Sequence, residues 1–516
     1  MKNGRLDRFA EHTERFAAGV IIILMLAFML FLTVSAFTGT SDLNLNDVSG
    51  ENIDFITDNV FLNIIISMLL LLALYLFYKH CGAVRLKKMK IILFGWYFLF
   101  GTAFILSAKL RSPSYSDSFI VTYAAQRAAV GDLSQLSEDY FFRFPFQLGY
   151  VLYSEFFFRV LGFVFRGFPE GYFCLALQEV NLLWVLFACY SLIRVSEYFS
   201  RDTRTQKIIV LLFFCCIPAL LSCTFLYGNI PAFGCGAGAL WMFLDFLKGG
   251  KLSRAVLCAL FLTFAVTLKL NLLIFAVAIG AIWVIEILKK RSFRSLVCLL
   301  LTAACVLSVS KMPQSFYEKR TGLDYGDGIP MLGWMAMGFS EGHAAPGWYK
   351  EDNTVTAFRE SGNDPEAVSE NARKVLRERT DFFITHPGDA FSFFSAKLRS
   401  QWNEPSCQSL WINQVFPSYS EKGRVYDMLC GKGEGRSLQL MNQYQQLVFA
   451  GTLLGLAALR KKKDIGCLLL PLVILGGLSY HLLFEAKSQY ALPYFVMMVP
   501  LAGYGFARFF RRVEER

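Results

Sequence analysis

The stretch Leu148–Phe165, LGYVLYSEFFFRVLGFVF, decides how this chain is organised. It is apolar enough to be taken for a membrane crossing, and yet it carries Glu155 and Arg159. The surrounding 516 residues set the class: 55% are hydrophobic, 16% are aromatic, and the charge falls in short clusters, which is too apolar for a soluble protein. Runs able to span about 30 Å of hydrocarbon occur over Phe16–Phe37, Val60–Tyr78, Ile91–Ala108, Phe173–Val195, Ile208–Leu226, Ile230–Leu247, Leu270–Leu288, Leu447–Leu459, Ile465–Phe484 and Tyr490–Phe506. Shorter candidates lie at Ala255–Leu268 and Ser295–Val309. The first run reads as a span and not as a cleaved signal, because its apolar core is too long and no small-residue cleavage pattern follows.

Basic residues flanking a span are retained on the cytoplasmic side. Six clusters qualify: Lys79–Lys90, Arg194–Lys207, Lys248–Arg254, Lys289–Arg294, Arg460–Lys463 and the tail from Arg508. The loop between Thr38 and Asn59 holds Asp42, Asp47, Glu51, Asp54 and Asp58 and no base, which marks the outer side. If Leu148–Phe165 crossed the bilayer, every cluster from Arg194 to Arg294 would face outward. If it lies along the interface, all six clusters fall inside together. We therefore read it as a juxtamembrane helix, with Glu155 and Arg159 four residues apart and paired on one polar face. The expectation is an all-α polytopic membrane protein of about twelve spans, with both termini cytoplasmic. Its net charge of +11 reads as topology and contact with anionic lipid, not as nucleic-acid binding.

Two regions then lie outside: residues 109–171, and 311–445 as an ordered, mostly helical segment. They separate a two-span extension (1–90), a transmembrane core (91–310) and a three-span C-terminal segment (446–516). Asp364-Pro365 signals a helix start, running to about Thr385, where His386-Pro387 ends it. A second amphipathic stretch covers Asp389–Trp402, and Ser437 is a candidate cap for the helix entering the next span. Of thirteen cysteines only Cys407 and Cys430 lie in the outer region, where a disulfide is one option. No CxxC occurs, and no two histidines are spaced as metal ligands.

Several soluble-enzyme motifs fail on context. Gly338-Phe339-Ser340-Glu341-Gly342 matches a nucleophile elbow, but no strands surround it. The run Gly431–Arg436 lacks the Gly-Lys-Ser/Thr order of a phosphate loop. No Asp-x-Asp pair exists to hold a nucleotide sugar through a metal. Asp117 remains, the one acid within nine residues of the apolar run that ends at Ala108, placed where an enzyme working at the outer edge of a membrane would carry a base. Its plainer reading is a solvated loop acid or a helix cap. Lys269, interrupting two apolar segments at the outer boundary, is a functional candidate of the same kind, with snorkelling to the headgroups as its plainer reading.

The sequence from Ser116 to Gly149, SDSFIVTYAAQRAAVGDLSQLSEDYFFRFPFQLG, resembles the first external loop of bacterial membrane glycosyltransferases of the GT-C superfamily, which includes protein O-mannosyltransferases and the lipid A aminoarabinose transferase. Further matches, in the same order, are LYGN at Leu226–Asn229, LKLN at Leu268–Asn271, GIPMLGWMAMG at Gly328–Gly338 and EAKSQY at Glu485–Tyr490. The resemblance implies a GT-C-like fold, a sugar donor on a polyprenyl phosphate, a glycan, lipid or protein acceptor at the outer face of the cell membrane, and inversion at the anomeric carbon. Under it Asp117 is the candidate base, and Lys269, Arg143 and Lys487 are candidates to bind the donor phosphate. Glu485, Tyr490, Asn229 and Trp402 are candidates for the sugar or acceptor. Relatives with a second acid place it in the turn that here holds Asn229, and an amide is a poor divalent-metal ligand, so no metal is assigned. Two other classes remain open. An O-antigen-type polymerase or ligase would rely on basic residues in its outer loop, and a lipid or glycan transporter would have internal repeats, of which none is evident.

Overall fold

The computed structural model describes residues 3–44, 50–110, 117–166, 171–351, 354–415, 421–462 and 464–515, and within them the chain is almost wholly helical. Helix α1 (Asn3–Thr38) leads into a hairpin of β1 (Gly39–Asn44) and β2 (Asn52–Thr57), followed by α2 (Val60–His80) and α3 (Leu86–Ala108). Three shorter helices come next: α4 (Asp117–Ala129), α5 (Asp139–Arg143) and α6 (Leu148–Val164). The core continues with α7 (Gly171–Phe199), α8 (Thr203–Phe214), α9 (Ile217–Leu221), α10 (Asn229–Gly249), α11 (Leu252–Leu268), α12 (Leu273–Lys290) and α13 (Phe293–Val309). Then come α14 (Met312–Thr321), α15 (Met331–Gly338), α16 (Thr354–Glu360), α17 (Pro365–Thr385), α18 (Pro387–Trp402), α19 (Ser409–Gln414) and α20 (Arg424–Leu429). The chain closes with α21 (Glu434–Leu459), α22 (Leu469–Leu483) and α23 (Leu492–Glu514).

Eight helical segments among the described residues are long and apolar enough to cross a membrane, or nine when α8 and the α9 segment, bent by 50°, count as one. This is a multi-pass membrane protein. Helix α11 is apolar but short, and α21 and α23 carry polar residues at one end, so these three expected spans are helical without meeting that measure. The most enclosed span is α10, where Gly234, Gly236 and Gly238 let Trp184, Phe275 and Phe187 approach to about van der Waals contact with the backbone.

The direction of the helices follows from polar contacts. Thr102 Oγ1 donates to Glu179 Oε2 at 2.9 Å and Gln178 Nε2 to the Leu110 carbonyl at 2.9 Å, while Lys90 pairs with Glu197 at 3.7 Å. The end of α3 therefore lies beside the start of α7, and the two run antiparallel. The segment between them, α4 to α6, returns to the end of the bundle that it left. Of the external loop expected over 109–171, residues 111–116 and 167–170 lie outside the described residues.

Contacts also draw the six basic clusters to the other end. Lys207 Nζ donates to the Cys81 carbonyl, and Arg204 and Arg511 pair with Glu514 and Asp202 at 3.2 and 3.3 Å. Lys248 sits 4.2 Å over the Tyr198 ring, Tyr198 donates to Asp464 at 3.0 Å, and Lys290 reaches the Leu247 carbonyl at 3.5 Å.

Some local expectations differ in detail. Asp364 caps α17, accepting from Glu366 N at 2.9 Å. Ser437 caps nothing: α21 starts earlier, at Glu434 after Gly433, so Ser437 lies inside it. Cys407 and Cys430 are both buried free thiols. Arg159 meets Glu155 at 2.8 Å, and the same carboxylate also takes Arg320 at 2.9 Å and the Tyr317 hydroxyl at 2.5 Å, tying α6 to α14. The acid-rich loop after α1 forms an antiparallel hairpin with Asp42 opposite Asp54. Nothing in its first strand alternates as a strand should, and the pairing is held from outside, by Asn403 accepting from Ser41 N at 3.1 Å and donating to the Gly39 carbonyl at 2.8 Å.

Candidate active site

At the end where α3 stops and α7 starts, the bundle opens into a cavity of about 310 Å³. Asp117, Arg143, Lys269, Glu485, Lys487 and Tyr490 all line it, although they come from four separate segments of the chain.

Asp117 is the first residue of α4. The helix start is fastened by Ser118 and Thr122, whose hydroxyls donate to the Leu226 carbonyl at 2.9 and 3.2 Å. That contact brings the turn 226–229 under the acid, and Tyr227 donates its hydroxyl to Asp117 Oδ2 at 3.3 Å. Gln147, just before α6, donates in turn to the Tyr227 oxygen.

Lys269 breaks the α11–α12 helix pair with an extended backbone, φ −154°. Two glycines set its position. A Cβ on Gly149 would stand 1.8 Å from the Thr267 carbonyl oxygen, and one on Gly228 would stand 2.2 Å from that of Leu268. Only bare backbone allows the start of α6 and the 226–229 turn to close on the break. The ammonium rests 4.2 Å from the Tyr227 ring centre and 5.5 Å from that of Tyr490. Burial pushes its pKa down to about 8, against the opposing pull of Asp117 and Glu485.

Glu485 and Lys487 sit in the turn between α22 and α23. Burial pushes the Glu485 carboxyl up to about 7, with Lys487 opposing, and Tyr490 donates to its Oε2 at 3.4 Å. Burial also works against the Lys487 ammonium, but Glu51 above all holds its pKa over the ordinary lysine value, at 3.1 Å from Nζ. Glu51, from the hairpin, also accepts from Gln408 at 2.8 Å. The turn itself is anchored by Lys397, wholly buried in α18, which donates to the Gly338 carbonyl and, at 2.8 Å, to that of Phe484. No carboxylate pairs with Lys397 among the described residues, and burial pushes it down to about 7.

Arg143 reaches the cavity from α5 and pairs with Asp139 at 3.0 Å. Two candidates lie elsewhere. Asn229 donates to Gln489 Oε1 at 2.8 Å, and Trp402 is buried against Tyr494, their ring centres 5.8 Å apart; neither lines the cavity. Sequence reasoning did not single out Tyr140, Gln147, Tyr227 or His481 on the cavity wall, nor Glu51 and Lys397 behind it. The first three fall inside quoted motifs and were within reach. Glu51 and Lys397 left no local signal. Among the described residues no three acidic, histidine or cysteine side chains gather as metal ligands.

No family model matches the sequence, and no curated protein matches it. Among solved structures, the archaeal oligosaccharyltransferase AglB from Archaeoglobus fulgidus, in complex with an inhibitory peptide and a dolichol-phosphate, is similar at 14% identity, covering 82% of this chain and 51% of that one, with a TM-score of 0.38. The Archaeoglobus fulgidus oligosaccharyltransferase in the apo form is similar at 12% identity, covering 82% of this chain and 52% of that one, with a TM-score of 0.39. This chain spans about half the length of each.

Proposed function

We propose that the protein is an inverting glycosyltransferase of the GT-C kind, moving a sugar from a polyprenyl-phosphate donor to an acceptor at the outer face of the membrane. The observation that carries this reading is one cavity at the end of the bundle that joins a carboxylate, Asp117, to three cations, Lys269, Arg143 and Lys487. That combination suits a reaction in which an acid takes a proton while a phosphate leaves with its charge.

In the transfer, the acceptor oxygen attacks the anomeric carbon as the carbon–oxygen bond to the phosphate breaks. Asp117 takes the acceptor's proton, and the phosphate departs with the bonding pair. No covalent intermediate on the protein is needed. Tyr227 occupies one oxygen of Asp117 and leaves the other for the acceptor. The cations stabilise the negative charge that grows on the phosphate, in a site where low dielectric makes each contact count for more than in water.

The test is sugar transfer by purified protein from a panel of polyprenyl-phosphate sugars. Asp117→Asn keeps the shape and removes the base, so the rate of transfer should fall by about 10²–10⁴ with donor binding nearly intact. Full turnover by Asp117→Asn would remove the base assignment, and no transfer from any donor by the unaltered protein would remove the activity.

A further inference from the structure

A second cavity, of about 540 Å³, lies at the other end of the bundle. The helices that frame both cavities fix its distance from the first. Lys269 and Leu270 line the first just before α12 begins, and Lys289 lines the second at the end of the same helix. Tyr480 and His481 line the first near the end of α22, and Ile465 and Leu468 line the second just before it starts. Eighteen residues of α12 rise about 27 Å at 1.5 Å per residue, close to the thickness of a bilayer's hydrocarbon. The two cavities therefore open at opposite membrane faces.

The second cavity has two unlike walls. One carries charge. Its acids are engaged, since Glu14 pairs with Lys289 at 2.9 Å and Asp464 accepts from Tyr198 at 3.0 Å and from Gly466 N at 2.9 Å. Arg460 and Lys462, both exposed, form no ion pair among the described residues. The other wall is the apolar face of α1 at Ala18, Gly19, Ile22 and Ile23. Ile23 is 67% exposed, and a Cβ on Gly19 would meet nothing within 4 Å, so a chain has room to lie along this face.

Unpaired cations above an apolar helix face, at a membrane boundary, match an amphiphile with an anionic head. We propose that this cavity binds an anionic phospholipid, its phosphate against Arg460 and Lys462 and an acyl chain along Gly19–Ile23 of α1. Such a lipid joins α1 to the connection between α21 and α22, and so fastens the N-terminal helix to the core. The proposal does not depend on the activity assigned to the first cavity.

The full-length protein in zwitterionic nanodiscs tests it, with lipid adducts counted by native mass spectrometry and thermal unfolding followed in parallel. Phosphatidylglycerol should bind and raise the unfolding temperature, phosphatidylcholine should not, and the double variant Arg460→Gln/Lys462→Gln should bind phosphatidylglycerol roughly 30-fold more weakly. Gly19→Phe fills the apolar wall without removing a charge, and should weaken phosphatidylglycerol binding. Unchanged phosphatidylglycerol affinity in either variant overturns the site. An equal thermal shift from inorganic phosphate overturns the lipid and leaves a free-anion site.

Discussion

At the scale of single residues, burial moves two of the cavity's charged groups, Lys269 and Glu485, toward neutrality, and Lys269 is the clearer case. Its pKa lies near 8, below the ordinary lysine value, because the ammonium has lost its water. If it holds the donor phosphate, donor affinity should fall as pH rises through about 8. Loss of stability cannot mimic that fall through this group. Between about 8 and 10.5 the unfolded chain binds a proton that the folded protein does not, so Lys269 makes folding more favourable as pH rises across that window. Lys269→Arg keeps the charge at every accessible pH and should remove the inflection from a profile of donor KM against pH. An inflection that stays in place assigns it to another group. Asp117, Lys269 and Glu485 were all legible in the sequence, because a charge at the edge of an apolar run is conspicuous. Glu51 was one acid among five in a loop, and its contact with Lys487 joins positions 436 apart in sequence, which no local pattern encodes.

At the scale of elements, the cavity exists because three backbone segments touch where side chains would hold them apart. Gly149 at the head of α6 and Gly228 in the turn before α10 both abut the carbonyls that precede Lys269. Gly149→Ala should therefore push the break away from Asp117, costing about 1–3 kcal/mol of stability as overpacking does, with a rise in donor KM beyond what the stability loss explains. Gly162→Ala is the control on the same helix. Its Cβ would meet nothing within 4 Å, so it should leave transfer unchanged and add up to about 1 kcal/mol. Equal transfer and thermal stability in the two variants would show that the close approach is not needed. The helices themselves were readable, since apolar length and the Asp-Pro and His-Pro signals mark ends locally. The hairpin was not, because its hydrogen bonds to the rest of the protein come from remote positions such as Asn403, Gln408 and Asn442, all more than 350 residues away.

At the scale of the whole molecule, one choice governs the topology: whether α6 crosses the membrane. Its 17 residues rise about 25 Å, at the lower limit for a crossing helix, so length alone does not decide. The stronger constraint comes from its neighbours. Because α3 and α7 run antiparallel, the chain between them must end on the face where it began, and α4, with 13 residues, is too short to supply a compensating crossing. Arg159 donates to the Ala128 carbonyl at 2.9 Å, so α6 runs beside α4 and shares its level. Glu155 then belongs at the interface, where its two arginines and a tyrosine compensate it, and not at the bilayer centre, where a carboxylate costs several kcal/mol. Charge parity in the sequence demands the same arrangement, since only a non-crossing α6 puts all six basic clusters on one side. A single cysteine at Arg166, exposed just past the end of α6, reads this out in a background where the exposed Cys215 and Cys305 are replaced by serine. A membrane-impermeant thiol reagent should label Arg166→Cys in intact cells, as it labels a cysteine at Ser137 in the loop after α4, and should leave one at Lys251 between α10 and α11 unmodified until the membrane is opened. Labelling of Arg166→Cys only after opening would make α6 a true span and overturn the reading that it lies along the interface.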